Sequence, residues 1–171
     1  MGTWMGVSRA GRFAAVTNYR GAREPSAAES RGALVTGFLA DGASPAAYTA
    51  DVARRAASYS GFNLLAYDRR ELWWMSNRDG APRQLESGYY ALGNLLLDSP
   101  DVQPIKQRFA DTPPAVEPLF NLLLQAKIVN PEYGTRCSTV LLDDGRQMRY
   151  AERSFDADGT EGATLHFQVS G

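Results

Sequence analysis

The sequence predicts an α+β fold of largely antiparallel sheets with helices packed on them. Three observations lead there. Period-two runs come in pairs around tight turns, as in MGVSRAGRFAAVTN and STVLLDDGRQMRYAERSF, and strands joined this way pair antiparallel. Helical segments fall in groups between the hairpins instead of alternating singly with strands, which argues against a doubly wound parallel sheet. The chain's 171 residues, 44% of them hydrophobic, suffice for a single domain over 1–171 with a sizeable core.

Along the chain, Trp4 to Ser8 reads as a strand, Arg9-Ala10-Gly11-Arg12 as a turn and Phe13 to Tyr19 as the returning strand. Gly21 to Arg31 is polar and small, a long surface loop, and the apolar stretch Ala33 to Ala40 reads as helical. Ser44 and Pro45 supply an N-cap and a first helical residue. Behind them Tyr48, Val52, Ala56 and Tyr59 form one stripe, with Gly61 as the stop. Phe62 to Tyr67 and Glu71 to Ser76 are aromatic-rich strands around Asp68-Arg69-Arg70. Tyr89 to Leu92 reads as a further short strand. Asp101 is placed to cap a helix carrying Ile105 and Phe109. Thr112 with Pro113 opens another, whose Val116, Leu119, Phe120, Leu123 and Leu124 share a face. Strands return at Ser138 to Leu142, Met148 to Ser154 and Thr164 to Val169, the first two joined by Asp143-Asp144-Gly145-Arg146.

Composition excludes several functions. A net charge of -1 does not suit an electrostatic nucleic-acid binder. No apolar run approaches the roughly 20 residues of a membrane span, and no secretory-type leader opens the sequence. Cys137 is the sole cysteine, so a reducing, cytoplasmic setting is expected. Only Lys106 and Lys127 among 18 basic residues are lysines, a bias that fits a GC-rich, bacterial coding sequence. One cysteine and one histidine do not make the usual zinc site. Asp156-Ala157-Asp158-Gly159 lacks the later acidic ligand of a calcium loop and reads as a solvated turn. Tyr67, Trp73 and Trp74 suit strand packing better than stacking on a flat ligand.

Four stretches in order, WMGVSRAGRFAAVTNYR, SGFNLLAYDRRELWWMSNR, GYYALGNLLLDSP and YGTRCSTVLL with YAERSF, resemble successive signature blocks of the NRDE family, that of transport and Golgi organization protein 2. The resemblance implies an αββα sandwich similar to cysteine-type N-terminal-nucleophile hydrolases. In such enzymes an N-terminal thiol attacks an acyl group and its own α-amine shuttles the proton. The family's Met-Cys strand and Asn-Arg-Asp-Glu motif have no match here. The sequence thus resembles a member lacking its first several dozen residues. Such a chain is expected to self-associate or to need the missing segment as a partner, because an open sheet edge would remain.

Carried over by motif, Asn18 in TNYR and Asn94 in ALGN match the family's oxyanion-binding asparagines, and Arg136 in GTR matches its late arginine. Each also has a structural reading: a strand-end turn residue, a turn or cap before Leu95 to Leu97, and a surface ion pair. Arg136 beside Cys137 would lower the thiol pKa, although free cysteines are commonly small buried hydrophobes. His166 alternates with Leu165 and Phe167 on the last strand, and no serine partner is singled out for it. The resemblance implies a small-molecule ligand and two functions. One is amide hydrolysis or acyl transfer by the complete protein, this chain alone being inactive. The other is non-catalytic handling of haem or a lipid-like or acyl-CoA ligand. No cofactor is required by the first, and haem would need His166, Cys137, a Tyr or a Met as axial ligand.

Overall fold

A computed structural model describes residues 2–21 and 29–170. The expected loop from Gly21 to Arg31 therefore lies in large part outside the described residues. The chain divides into two compact units, residues 1–103 and 104–171.

The first unit is built on a five-stranded antiparallel sheet in sequence order: β1 (Met5–Val7), β2 (Phe13–Asn18), β3 (Phe62–Tyr67), β4 (Leu72–Ser76) and β5 (Arg83–Leu85). The β1–β2 turn needs Gly11, whose φ of 72° belongs to the left-handed region. Register places Ala14, Val16, Leu64, Ala66, Phe62 and Met75 on one face. Against that face pack α1 (Gly32–Ala40) and α2 (Pro45–Arg54), burying Leu34, Val35, Phe38, Tyr48 and Val52. Ser44 caps α2, its Oγ accepting from the Ala47 amide at 3.2 Å. Helix α2 stops at Arg54, before Ala56 and Tyr59, and a 3₁₀ turn carries the chain on to Gly61. Arg12 ties α1 to the sheet. Its guanidinium lies 3.9 Å from the Phe38 ring centre and donates to the carbonyls of Phe38 (3.2 Å) and Ala43 (2.7 Å), where a cation complements the helix C-terminus.

On the opposite face of β3 and β4, Leu65, Leu72 and Trp74 pack with Leu85 and with Tyr90, Leu92, Leu96 and Leu97 of the connection that follows. That connection corrects one expectation, for Tyr89 to Leu92 is not a strand. The strand is Arg83–Leu85, whose polar residues hide its pairing from sequence. Arg83 is held there by stacking over Trp74 at 4.6 Å.

In the second unit β6 (Cys137–Asp143), β7 (Gln147–Phe155) and β8 (Glu161–Ser170) make an antiparallel meander. Helix α3 (Gln103–Asp111) has no buried residue and follows a 3₁₀ turn over Pro100–Val102, so Asp101 lies inside that turn and is not the cap. Helix α4 (Val116–Leu123) has Ala115 at its N-cap and does not open at Thr112, whose hydroxyl instead donates back to the Arg108 carbonyl at 2.7 Å. Leu119 and Phe120 of α4 pack on Val140 and Ala151. Arg153 joins the layers. It stacks 4.3 Å over Phe120, grips both Glu117 oxygens at 2.8 and 3.0 Å and donates to Thr164 Oγ1.

Candidate functional site

The C-terminal end of β2 is where residues distant in sequence meet. Asn18 is its last residue and is exposed. The connection after β5 closes on itself through Ala91 and Asp98, the Asp98 Oδ1 accepting from the Ala91 amide (2.9 Å) and the Asp98 amide donating to the Ala91 carbonyl (2.8 Å). The middle of this closed loop is fastened to β2 and β3. Thr17 Oγ1 donates to the Gly93 carbonyl at 2.9 Å. Asn94 Nδ2 donates to the Asn18 carbonyl at 2.9 Å, and the Arg20 amide donates to the Asn94 carbonyl. Asn63 Nδ2 donates to the Leu95 carbonyl (2.9 Å) and to Thr17 Oγ1 (3.1 Å).

The structure thus brings Asn18 and Asn94 into direct contact, 76 residues apart in sequence. Leu95 to Leu97 form no helix, so Asn94 is not an N-cap. It uses one amide hydrogen on Asn18 and retains another, and an exposed carboxamide so held is a fixed hydrogen-bond donor. Asn63 is the residue that sequence reasoning missed. It is fully buried between Phe62 and Leu64 in β3, and its Oδ1 meets no partner among the described residues. An asparagine amid core aliphatics was the available signal, since buried polar groups are ordinarily satisfied.

Arg136 belongs to the second unit and is exposed. Its carbonyl accepts from the Phe155 amide at 2.8 Å. With Ile128, Tyr133, Phe155, Asp156 and Asp158 its side chain lines an open hollow of about 580 Å³. Cys137 begins β6, and its thiol pKa is raised, not lowered: burial and the Glu152 carboxylate outweigh Arg136. The expected activation by Arg136 is overturned by this environment, since a protonated thiol is a poor nucleophile. His166 is exposed on β8. Asp156 to Gly159 form a turn in which Asp158 Oδ1 accepts from the Thr160 amide, and no group of acidic, His or Cys residues suited to a metal occurs among the described residues. Trp74 is 1% exposed and serves the core. No helix among the described residues is long and apolar enough to cross a membrane.

By fold this is an α+β protein of antiparallel sheets, the first covered on one face by α1 and α2 and the second by α4, and two of its signature residues, Asn18 and Asn94, meet where β2 ends. Residues 1–115 match the family model described as Transport and Golgi organisation 2. The Transport and Golgi organization protein 2 homolog of cattle is 30% identical over 198 aligned residues, covering 90% of this chain and 72% of that protein. The human homolog is 37% identical and the mouse homolog 35% identical, each over 105 residues that cover 58% of this chain and 38% of the relative. The chain belongs to the Transport and Golgi organisation 2 family.

Proposed function

We propose that this chain carries the oxyanion-binding part of an N-terminal-nucleophile-type site that hydrolyses or transfers the acyl group of a small acyl-amide. The observation behind this reading is the Asn94 Nδ2 to Asn18 carbonyl bond of 2.9 Å, which sets two motif asparagines side by side on one rigid edge. Such a site needs hydrogen-bond donors aimed where negative charge develops on the carbonyl oxygen during attack. The side-chain amide of Asn18 and the remaining amide hydrogen of Asn94 are donors of that kind. Thr17 and Asn63 bind the carbonyls of Gly93 and Leu95 on either side of Asn94, and the Arg20 amide binds that of Asn94 itself, which supports Asn94 as a positioned donor. The attacking thiol and its α-amine would come from a Met-Cys segment of the family type preceding this chain, because the raised Cys137 pKa suits it poorly for the task. The thiolate would form a thioester, the amine would leave with the proton, and water or a second amine would release the acyl group. The resemblance assigns Arg136, in the second unit, a charge-supplying role of its own.

The test joins a family Met-Cys segment to this chain and follows thioester formation and acyl-amide turnover. Asn18→Ala and Asn94→Ala should each lower kcat by about 10²- to 10³-fold with the circular dichroism spectrum retained. Absence of any acyl-thioester in the joined protein would overturn the reading. A fully active Asn94→Ala variant would return that residue to a structural role.

A further inference from the structure

We propose that the hollow of the second unit binds a small zwitterion, an α-amino acid with an apolar side chain. Arg136 takes its carboxylate, and Asp156 and Glu132 take its ammonium group. All three residues line this space of about 580 Å³. Opposite charges close together on a protein ordinarily pair, as Arg153 does with Glu117 in the same unit. Among the described residues the Arg136 guanidinium makes no hydrogen bond or ion pair, and neither do the carboxylates of Asp156 and Glu132. The other charges nearby are engaged. Asp158 Oδ1 accepts from the Thr160 amide at 2.9 Å. Lys127 Nζ donates to the Gly159 carbonyl at 2.7 Å and lies 4.9 Å over the Phe155 ring. One cation and two carboxylates thus border a single space without satisfying each other. A simple anion would meet the carboxylates there and a simple cation would meet Arg136, whereas a ligand carrying both signs opposes neither.

The walls of the hollow are held by their own bonds. On one side Asn130 Oδ1 accepts from the amides of Glu132 (2.9 Å) and Tyr133 (3.1 Å), and the Thr135 amide donates to the Ile128 carbonyl at 2.8 Å. On the other, the Asp156 amide donates to the Thr160 carbonyl and the Gly159 amide to the Asp156 carbonyl, both at 2.9 Å. The two walls touch at Gly159, whose φ is 84° and where a Cβ would lie 2.6 Å from Val129 Cγ2. The charged side chains therefore start from fixed backbone, and a ligand has little to order on arrival. The apolar body of the ligand follows from the rest of the lining. Phe155 is buried, while Ile128 and Tyr133 are 47% and 64% exposed. An apolar side chain laid against these residues removes their surface from water. Such binding goes beyond the acyl-transfer reading and does not rest on it, since it requires neither the thiol nor the two asparagines.

Calorimetric titration of the purified chain with L-phenylalanine should show saturable binding at one site. L-phenylalaninamide lacks the carboxylate and N-acetyl-L-phenylalanine lacks the ammonium group. Each should bind about 10-fold more weakly or worse, as expected when a hydrogen bond to a charged group is lost. Arg136→Gln should lower the affinity for L-phenylalanine to that for the amide and leave the amide's own affinity unchanged. Asp156→Asn combined with Glu132→Gln should lower it to that for the N-acetyl compound and leave the latter unchanged. Misfolding would weaken all three ligands together, so this crossed pattern separates lost charge from lost structure. Glycine, with both charges and no side chain, should bind more weakly than L-phenylalanine. No saturable binding of L-phenylalanine at millimolar concentration overturns the proposal. Equal affinity for the three phenylalanine compounds, or variants that weaken them all alike, overturns it as well.

Discussion

At the scale of single residues, the most heavily engaged polar groups are those whose sequence neighbours give them no prominence. Tyr59 was expected on the apolar stripe of α2, yet it lies beyond the helix with its hydroxyl donating to Glu29 Oε2 at 2.6 Å and contacted by Arg55 Nη1. Burial, and then the bond to Glu29, push its phenol up to about 12. An unfolded tyrosine ionises near pH 10. A phenol whose folded pKa is raised contributes stability that is full below the unfolded value and is lost as pH climbs through the folded one. The stability gap between the wild type and Tyr59→Phe should therefore be constant up to about pH 10 and narrow toward about pH 12. Denaturant titrations at successive pH values check this, and a gap that does not change with pH would contradict the assignment. Arg153 teaches the same lesson. It stands in one of the signature blocks, YAERSF, and the structure shows it joining α4, β7 and β8, a packing role that a motif cannot distinguish from a chemical one.

Elements were legible where local chemistry decided them. Ser44-Pro45 set the start of α2 through the cap alone, and Asp144-Gly145 set the β6–β7 hairpin. There Gly145 takes a φ of 81° and Asp144 Oδ1 accepts from the amides of Arg146 and Gln147. Legibility failed where a tertiary partner decided. Arg83–Leu85 pairs because β4 offers an edge and Trp74 a ring, and Thr112 turns back on α3 instead of opening α4. The candidate site divides the same way. Asn18 and Asn94 were found through motif resemblance, whereas Asn63, which joins their supports, speaks only through its burial. Asn63→Leu keeps an apolar volume in β3 but leaves the Leu95 carbonyl without its donor, so it should cost about 1–3 kcal/mol. Hydrogen exchange should accelerate at residues 93–96 and stay slow across β3 and β4. Uniform acceleration through the sheet would show that Asn63 supports the core as a whole and not the loop.

At the scale of the whole molecule, the two units differ in how much core each owns. The first buries a dozen side chains between its sheet and α1 and α2, with a second cluster around Trp74. The second clusters only Leu119, Phe120, Val140 and Ala151, with Val116, Leu123 and Leu142 packed at their margin, and buries Leu122, Met148 and Phe155 besides. Stability tracks apolar area removed from water, so the second unit is the less protected. Phe120 is its largest fully buried side chain, at 1% exposure, and also the ring on which Arg153 stacks. Phe120→Ala should remove about 3–5 kcal/mol, comparable to what so small a core supplies. The expected result is loss of hydrogen-exchange protection over β6 to β8 while β2 to β4 remain protected, seen as two separate transitions in a denaturant titration. Phe38→Ala should instead weaken the first unit and leave β6 to β8 at their original exchange rates. If either substitution melts both units in one transition, the units fold as a single cooperative body. The loop carrying Asn94 would then share its stability with the unit that carries Arg136.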